Sequence, residues 1–370
     1  MMIEAVRLHN FRNYEDLTLS FPQAIILLYG ANGQGKTNLL EALYLGGLGK
    51  SYRGMKDTDL IRWQKDSASL ILRFRRQDTV QQLKIILSRR EKKEIWINET
   101  KVPRKELVGT LNEVLFSPDD LQLIKGAPNL RRRFLDREIS QANPAYYRDL
   151  LQYNRAVAQR NLLLKQRKRG EVHPLEAWDQ QIAVFAASLV RKRLEALHKL
   201  SFLAGVLHKR LSGGTEHLSL TYLQPYAPNG ETPHTDPDWY AKRLQECLPE
   251  DIQRQSTSIG PHRDDLQFLA EGADLKRYGS QGQQRTAVLA LKLAELEYLK
   301  SETGEYPILL LDDVMSELDK KRRQALLDFV RGRIQTFITT TEPEIFTSLS
   351  GMQAFYVEKG GVAARGRTHE

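Results

Sequence analysis

A glycine-rich segment near the amino terminus has the residue types that bind a nucleotide phosphate. Residues 30–37 read Gly-Ala-Asn-Gly-Gln-Gly-Lys-Thr and match the pattern G-x-x-x-x-G-K-[ST]. Glycines let backbone N–H groups approach a phosphate without a Cβ clash, the lysine reaches the β- and γ-phosphates, and the threonine hydroxyl ligates Mg²⁺. The pattern predicts a phosphate-binding loop (P-loop). Its candidate nucleotide contacts are Gly30, Ala31, Asn32, Gly33, Gln34, Gly35, Lys36, Thr37 and Asn38.

Two acidic residues that follow an apolar run supply the second half of such a site. Residues 308–311 read Ile-Leu-Leu-Leu, as a buried strand does, and Asp312 and Asp313 come directly after them. Paired acids at the end of a strand are often only solvated, but beside a P-loop they are typical of a Walker B motif. We therefore expect Asp312 to hold Mg²⁺ together with Thr37, and Asp313 to orient or deprotonate the attacking water. The predicted ligands are ATP and Mg²⁺.

The order of the motifs along the chain indicates which class of P-loop protein this is. Lys36 and Asp312 lie 276 residues apart, so a large insertion separates the two halves of the site. Within residues 278–285, Ser280, Gly282 and Gln283 match the L-S-G-G-Q signature of ABC-type ATPases, and a predicted helix joins them to the Asp312 strand. In isolation the segment reads as a serine-capped helix start. In this position it favours a signature loop, and Ser-Glu-Leu-Asp at 316–319 resembles the D-loop.

The elements that must position these residues follow from hydrophobic periodicity and turn signals. Strands are expected at 3–8, 17–21, 25–29, 69–75, 82–88, 94–98, 308–311 and 336–339. Helices are expected at 37–45, 144–169, 174–211, 281–301 and 319–331, with a turn at Asn98-Glu99, a helix start at Ser117 and a loop at 225–237. The pattern predicts an α/β fold. The predicted architecture is an ABC-type P-loop ATPase head that is split in sequence into residues 1–117 and 260–370. A mainly helical lobe is inserted at 118–259, and no long coiled coil is expected.

The charge of the chain is unevenly distributed. The 370 residues have a net charge of +9, yet residues 125–200 hold 16 Lys and Arg against 7 Asp and Glu, and the rest holds 39 of each. A localised basic segment favours a polyanionic partner over general solubility, and on charge alone a solvated helix face is an equal alternative. A single cysteine excludes an intrachain disulfide, and no apolar run approaches the ~20 residues of a membrane span. We expect a soluble cytoplasmic protein.

Three short basic runs in this segment are candidates for contacts with the phosphates of a polyanionic partner, and each could instead be a solvated helix face. They are Arg131-Arg132-Arg133, Arg167-Lys168-Arg169 and the run that begins at Arg191. The first triplet could instead serve the nucleotide site or the surface between the lobes. His262, with Arg263 and Asp264 beside it, could mimic a catalytic cluster, but a structural hydrogen-bond network that bridges the lobes is the favoured interpretation.

The chain resembles the RecF family of DNA-repair ATPases, which is related to the heads of structural-maintenance-of-chromosomes proteins. The resemblance runs from end to end, through the P-loop, the signature loop, the Asp312 segment and residues 10–14, 50–53, 116–121, 126–128, 131–136 and 260–265. It implies that the protein binds ATP, forms a homodimer on ATP, binds DNA (duplex or a single-/double-strand junction) and hydrolyses ATP slowly. It also implies partnership with RecR, and with RecO in the same pathway, in loading a recombinase at gaps, and association with the nucleoid rather than a membrane.

The resemblance also implies roles for individual residues. Ser280 of one subunit covers the γ-phosphate held at Lys36 of the other, with Gly282 and Gln283 beside it, and Arg12 and Asn13 lie near the nucleotide. The loop 117–122 couples the nucleotide to the helical lobe through Asp120 or Gln122, between which the sequence does not choose.

Two departures from the wider ABC pattern favour a slow switch. Asp313 replaces a glutamate, and Thr339-Thr340-Thr341 stands where transporters carry a histidine. The threonines and the basic segment disfavour the energising subunit of a membrane transporter, and the Ser280 signature disfavours a metabolic P-loop kinase.

Overall fold

A computed structural model of the chain describes residues 1–168, 174–214, 216–228, 232–346 and 351–364, without the side chains of residues 167 and 168. The chain divides into two compact units. The first comprises Met1–Asp120 and Glu295–Glu370, and the second comprises Leu121–Ala294.

The first unit contains twelve of the strands and most of the P-loop machinery. Its strands are β1 Met2–Phe11, β2 Tyr14–Ser20, β3 Ile25–Tyr29, β4 Ser67–Arg76, β5 Thr79–Ser88, β6 Glu94–Ile97, β7 Thr100–Val102, β8 Glu113–Phe116, β12 Ile308–Leu311, β13 Thr336–Thr340, β14 Met352–Glu358 and β15 Gly361–Ala364. Its helices are α1 Lys36–Leu48, α2 Arg104–Leu107 and α11 Lys320–Val330. Helix α10 (Gln281–Thr303) contains the boundary between the units.

One sheet of this unit carries the nucleotide machinery. Its strand order is β15-β14-β3-β13-β12-β8, and all neighbours pair in parallel except β15, which is antiparallel to β14. Strands β3, β12 and β13 are buried at every residue, as expected for the centre of a parallel sheet covered on both faces. Because the carboxyl ends of parallel strands meet at one edge, the loop after β3 and the acids after β12 lie at the same edge.

The second sheet is antiparallel, with the order β2-β1-β4-β5-β6-β7. Its strands alternate buried and exposed residues, for example along β4, so that one face packs on the core and the other is solvated. Asn98 and Glu99 have φ of 47° and 68° and connect β6 to β7. Two left-handed residues suit the tight turn of a β-hairpin, and the predicted turn is confirmed.

The second unit is mainly helical. Its elements are α3 Gln122–Lys125, α4 Pro128–Ala142, α5 Pro144–Lys168, α6 Glu176–Leu211, β9 Leu218–Leu223, α7 Pro237–Glu246, α8 Leu248–Arg254, β10 Asp265–Ala270, β11 Ala273–Asp274 and α9 Leu275–Tyr278. The two long helices predicted from the sequence are confirmed as α5 and α6. The three-stranded sheet β11-β10-β9 was not predicted.

This small sheet changes where residues 260–294 belong. Strand β10 pairs with β9 over six residues, so the stretch that the sequence assigns to the ATPase lobe clusters with the second unit up to Ala294. Among the residues that the structure describes, no helix has the length and apolarity that a membrane crossing requires.

Candidate nucleotide site

The P-loop connects β3 to α1, and at two of its positions the backbone accommodates only glycine. Gly30 has φ 149°, and a Cβ there would lie 2.3 Å from the carbonyl oxygen of Val357. Gly35 has φ 121°, and a Cβ there would lie 2.5 Å from the side-chain amide of Asn13. Because both positions combine left-handed backbone with crowding, the loop keeps the open backbone that a phosphate requires.

Lys36 is held at the mouth of this loop. Its Nζ donates to the carbonyl oxygens of Gly30 and Ala31 at 2.8 and 3.0 Å, and the residue is buried. Burial lowers the pKa of Lys36, while the charges of Asp313 and Asp312 oppose that shift. A partly desolvated ammonium whose bonds to described residues are to carbonyl oxygens is well suited to pair with a phosphate.

Asp312 is fixed by three hydroxyl groups. Thr37 and Thr339 each donate from Oγ1 to its Oδ1 at 3.0 Å, and the phenol of Tyr52 donates to its Oδ2 at 2.6 Å. The ring of Tyr44 packs edge-on against the ring of Tyr52, with centroids 5.2 Å apart. The carboxylate and the Thr37 hydroxyl form a hard-oxygen set that fits Mg²⁺.

Asp313 follows with a left-handed backbone, at φ 51°. Its N–H donates to Oγ1 of Thr339 at 2.9 Å, so one threonine fixes both acids of the motif. Burial raises the pKa of Asp313; Lys36 opposes this shift and the Asp312 charge adds to it. Thr339 is therefore a positioning residue of the site. From the sequence it stood out only because ABC transporters carry a histidine at this place.

Arg12 lies in a network beneath the loop. It has φ 52° and binds the fully buried carboxylate of Glu41 through two hydrogen bonds, from Nε at 2.9 Å and from Nη2 at 3.0 Å. The hydroxyl of Ser51 donates to the same carboxylate. Arg12 thereby ties the start of the chain to α1, and its Nη1 donates to the carbonyl of Asp59 at 2.9 Å.

Asn13 forms a hydrogen bond to the P-loop backbone, and Asn38 orients Asn13. The amide of Asn13 donates to the carbonyl of Gln34 at 2.8 Å, and Asn38 donates to Oδ1 of Asn13 at 2.9 Å. The turn between β14 and β15 adds a further contact, because the N–H of Lys359 donates to Oε1 of Gln34 at 2.8 Å. The sequence suggested no role for that turn.

The signature segment begins helix α10 with a reciprocal cap. The N–H of Gln283 donates to Oγ of Ser280 at 3.2 Å, and the N–H of Ser280 donates to Oε1 of Gln283 at 2.8 Å. This is a capping box, and a further bond from Gln283 to Glu216 at 2.9 Å fixes its glutamine. Ser280 and Gly282 are exposed at the positive end of the helix dipole.

Comparison with known proteins now places these features in a family. The model of the RecF/RecN/SMC N-terminal domain matches residues 2–364. The DNA replication and repair protein RecF of Alkaliphilus oremlandii is 43% identical over 367 residues, covering 98% of this chain and 100% of that protein. The chain belongs to the RecF family. The RecF protein of Halothermothrix orenii is 44% identical over 349 residues, with 92% of each chain covered.

Solved structures agree with this assignment. One described as the recombination mediator protein RecF with ATP in the RecFOR pathway has a TM-score of 0.91 and 36% identity, covering 99% of this chain and 98% of the other. The Smc head domain of Pyrococcus furiosus has a TM-score of 0.57 at 18% identity, covering 98% of this chain and 96% of the other, and shares the fold alone. The predicted fold class, an ABC-type ATPase head with an inserted second lobe, is confirmed.

Asp120 closes a local turn in the loop at 117–122, and the coupling of this loop to the helical lobe stays a prediction. Asp120 Oδ2 accepts the N–H of Ser117 at 2.7 Å, and the N–H of Asp120 donates to the carbonyl of Ser117 at 3.0 Å. Asp120 thus closes the 3₁₀ turn that precedes Gln122, the first residue of α3. The predicted helix start at Ser117 is confirmed as this turn at residues 118–121.

Arg131 is not available to DNA in this member of the family. Its side chain is 4% exposed and binds Asp265 through Nε at 2.7 Å and Nη2 at 2.9 Å. The interpretation of Arg131 as a phosphate contact is therefore corrected. Arg132 is half-buried and donates to the carbonyl of Asp264 at 2.6 Å, whereas Arg133 is exposed.

The other basic candidates also differ in their exposure to solvent. Arg191 is exposed, while Arg193 is buried. The side chains of Arg167 and Lys168, and the whole of Arg169, lie outside the described residues.

The segment that contains His262 and Asp264 forms a buried hydrogen-bond network within the second unit. His262 Nδ1 is 2.5 Å from the Tyr153 hydroxyl, and its Nε2 is 3.1 Å from the carbonyl of Thr257. Burial lowers the pKa of His262 to about 4 and raises the pKa of Asp264 to about 6. Both shifts favour neutral side chains, and Tyr222 donates to Asp264. These contacts support the structural interpretation of this segment.

Proposed function

We propose that this chain is an ATP-gated DNA-binding protein of recombinational repair, with slow ATP hydrolysis that resets the switch. The observation that carries the proposal is the 3.0 Å hydrogen bond between Thr37 and Asp312, which are 275 residues apart. That bond assembles a Walker A and a Walker B motif into one site. Relatives that cover nearly the whole chain are named DNA replication and repair protein RecF, and a solved RecF structure is described with ATP.

The residues of the first unit divide the work of ATP binding and hydrolysis. Lys36 and the backbone N–H groups of the loop hold the β- and γ-phosphates, and Thr37 and Asp312 hold Mg²⁺. Mg²⁺ bound there neutralises charge on the phosphates. Asp313 orients and deprotonates the attacking water, and the raised pKa of its carboxyl makes it a stronger base than an exposed aspartate.

Ser280 completes the site of a second subunit. Its hydroxyl is exposed at the start of α10, where the backbone N–H groups of a helix form an anion-binding surface that suits a γ-phosphate. We expect ATP to join two chains through this contact, with Gly282 and Gln283 beside it. The dimer then presents DNA-binding residues of both chains, and Arg133 and Arg191 are the candidates that are exposed in the described part of the helical unit.

The test of this proposal is DNA binding with and without ATP. A gel-shift titration on gapped and on fully duplex DNA at low salt should give binding that depends on ATP, and Lys36→Met should abolish the ATP dependence. Binding by the wild-type chain that is equally strong without nucleotide would refute the gating.

The pathway assignment is a further part of the proposal. The solved ATP-bound relative is described as a recombination mediator in the RecFOR pathway. We therefore expect this chain to act with RecR, and with RecO in the same pathway, in loading a recombinase at gaps. Sedimentation of the chain with RecR and ATP on gapped DNA should give a joint complex, and its absence would remove RecR from the account.

A further inference from the structure

Trp63 is the most exposed large apolar side chain among the described residues. It is 84% exposed, and no other large apolar side chain between residues 56 and 79 is exposed. The other three tryptophans of the chain, Trp96, Trp178 and Trp239, are all half-buried. A tryptophan left almost wholly in water forgoes the burial that stabilises most aromatic side chains, so its neighbours decide whether it can bind a ligand.

The backbone presents Trp63 at the tip of a fixed turn. The N–H of Lys65 donates to the carbonyl of Arg62 at 3.1 Å, and Gln64 has φ 62°. Trp63 is therefore the second residue of a β-turn whose third residue is left-handed. Because Gln64 is not a glycine, that conformation is costly and is maintained by the surroundings.

Those surroundings belong to β1 and to the turn that follows it. The N–H of Arg62 donates to the carbonyl of Asn10 at 2.8 Å, and its guanidinium donates to the carbonyl of Asn13 at 2.7 Å. Ile61 forms a bridge with Phe11. The turn is thus held in place before any ligand arrives, which reduces the entropic cost of binding.

Basic side chains of a second turn lie beside it. Arg89 donates from Nε to the carbonyl of Lys65 at 2.9 Å, and its own N–H donates to the carbonyl of Asp66 at 3.0 Å. Arg90 follows, with only a 3.9 Å ion pair to Asp66 in which both side chains are about four-fifths exposed. Such a pair is weak in water and leaves Arg90 able to bind a phosphate.

The charge around Trp63 selects the kind of ligand. Residues 62–66 and 88–93 together contain six Lys and Arg and two Asp and Glu. An aromatic side chain among several cations and few acids is typical of a surface that binds single-stranded nucleic acid. The cations track the backbone, and the indole stacks on an unpaired base.

We propose that Trp63, Lys65, Arg89 and Arg90, here called the Trp63 patch, bind single-stranded DNA by stacking an unpaired base on the indole. The inference rests on the proposed DNA-binding function and adds a surface of the first unit to it. It gives the protein a means to distinguish the single-stranded part of a gap from duplex, because a paired base has no face free to stack on Trp63.

The test compares variants of the full chain in the presence of ATP, with oligo(dT) as the probe. Trp63→Ala should bind oligo(dT) about 5- to 150-fold more weakly, the range measured for removal of one base–aromatic stack. Trp63→Phe should restore most of the affinity. Phe202→Ala, which removes a 69% exposed aromatic ring from α6, is the matched control and should bind as the wild type does.

Two further readouts separate stacking from a general loss of structure. Oligo(dT) should quench the tryptophan fluorescence of the wild type but not of Trp63→Phe, and fully duplex DNA should quench neither. Replacing Arg89 or Lys65 by Ala should reduce the salt slope by about 0.7 for each phosphate that the variant no longer neutralises.

The outcomes also distinguish this inference from the proposed function. If Trp63→Ala binds oligo(dT) as tightly as the wild type while ATP-dependent duplex binding persists, the Trp63 patch is not a DNA site and the gating proposal stands. If the wild type binds no DNA with ATP, both fail. Loss of oligo(dT) binding by Trp63→Ala with ATP-dependent duplex binding retained supports the Trp63 patch.

Discussion

Replacing Tyr52 by phenylalanine tests whether the hydroxyls around Asp312 determine its position. The phenol donates to Oδ2 of Asp312 at 2.6 Å, and burial together with the Asp312 charge holds the pKa of Tyr52 well above its ordinary value. The phenol is therefore protonated, and able to donate, throughout the physiological pH range. A hydrogen bond to a charged group contributes about 1.5–3 kcal/mol, and Tyr52→Phe should lower the free energy of unfolding by about that amount.

Urea denaturation measures this change, and Tyr29→Phe is the matched control. Tyr29 is a buried tyrosine of β3 whose hydroxyl has no hydrogen-bond partner among the described residues, so its replacement should cost little. Adding Asp312→Asn to Tyr52→Phe closes a double-mutant cycle, which should give a coupling energy of about 1 kcal/mol or more.

The same variant should bind Mg²⁺-ATP with a raised Mg²⁺ requirement, because Asp312 is then oriented by two hydroxyls instead of three. Titration of a fluorescent ATP analogue at several Mg²⁺ concentrations measures this shift. The reasoning is refuted if Tyr52→Phe costs no more than Tyr29→Phe and leaves the Mg²⁺ requirement unchanged.

Three other predictions concern single residues. Asp313→Asn should slow ATP hydrolysis by about 10²- to 10⁴-fold and preserve ATP binding, and equal turnover in a steady-state ATPase assay would remove it from catalysis. Arg131→Ala should lower the free energy of unfolding, measured by urea denaturation, by about 3–5 kcal/mol because it leaves Asp265 without its partner. Arg133 is exposed, so Arg133→Ala should lower it by under about 0.5 kcal/mol. Similar losses for both variants would contradict the burial of Arg131. For His262, protonation favours the unfolded chain between pH 6.5 and about 4, since its folded pKa is lowered to about 4. The stability of His262→Gln relative to the wild type should therefore rise by about 3 kcal/mol as the pH falls through that range, and a constant difference would exclude a neutral buried His262.

The P-loop could be predicted because its determinants are local in sequence. Its glycines, lysine and threonine stand within eight residues, and the strand and helix on either side have clear hydrophobic patterns. Asp312 was found for the same reason, as an acid at the end of an apolar run. The hydroxyls that hold it were not found, because Tyr52 and Thr339 lie 260 and 27 residues away and no periodicity links them to it.

The error at Arg131 had a signal in the sequence. Arg131 lies three and four residues before Phe134 and Leu135 and eight before Ile139, which is the spacing of one helix face. That face is buried in α4, so Arg131 faces the core while Arg133 faces water. A reading by charge alone treats three adjacent arginines alike, although successive residues of a helix point about 100° apart.

The small sheet of the second unit had a weaker signal. Residues 218–223 and 265–270 are each short enough to read as either strand or loop, and they pair across a connection of more than forty residues. Such pairing depends on tertiary packing, which also decides that residues 260–294 join the helical unit.

The central claim, that ATP joins two chains through the signature loop, is tested most directly by light scattering of Ser280→Arg with ATP. We expect a dimer for the wild type, and a monomer with unchanged ATP binding for Ser280→Arg, because the arginine fills the exposed start of α10 and leaves every P-loop residue unaltered. A Ser280→Arg chain that dimerises on ATP as the wild type does would contradict it.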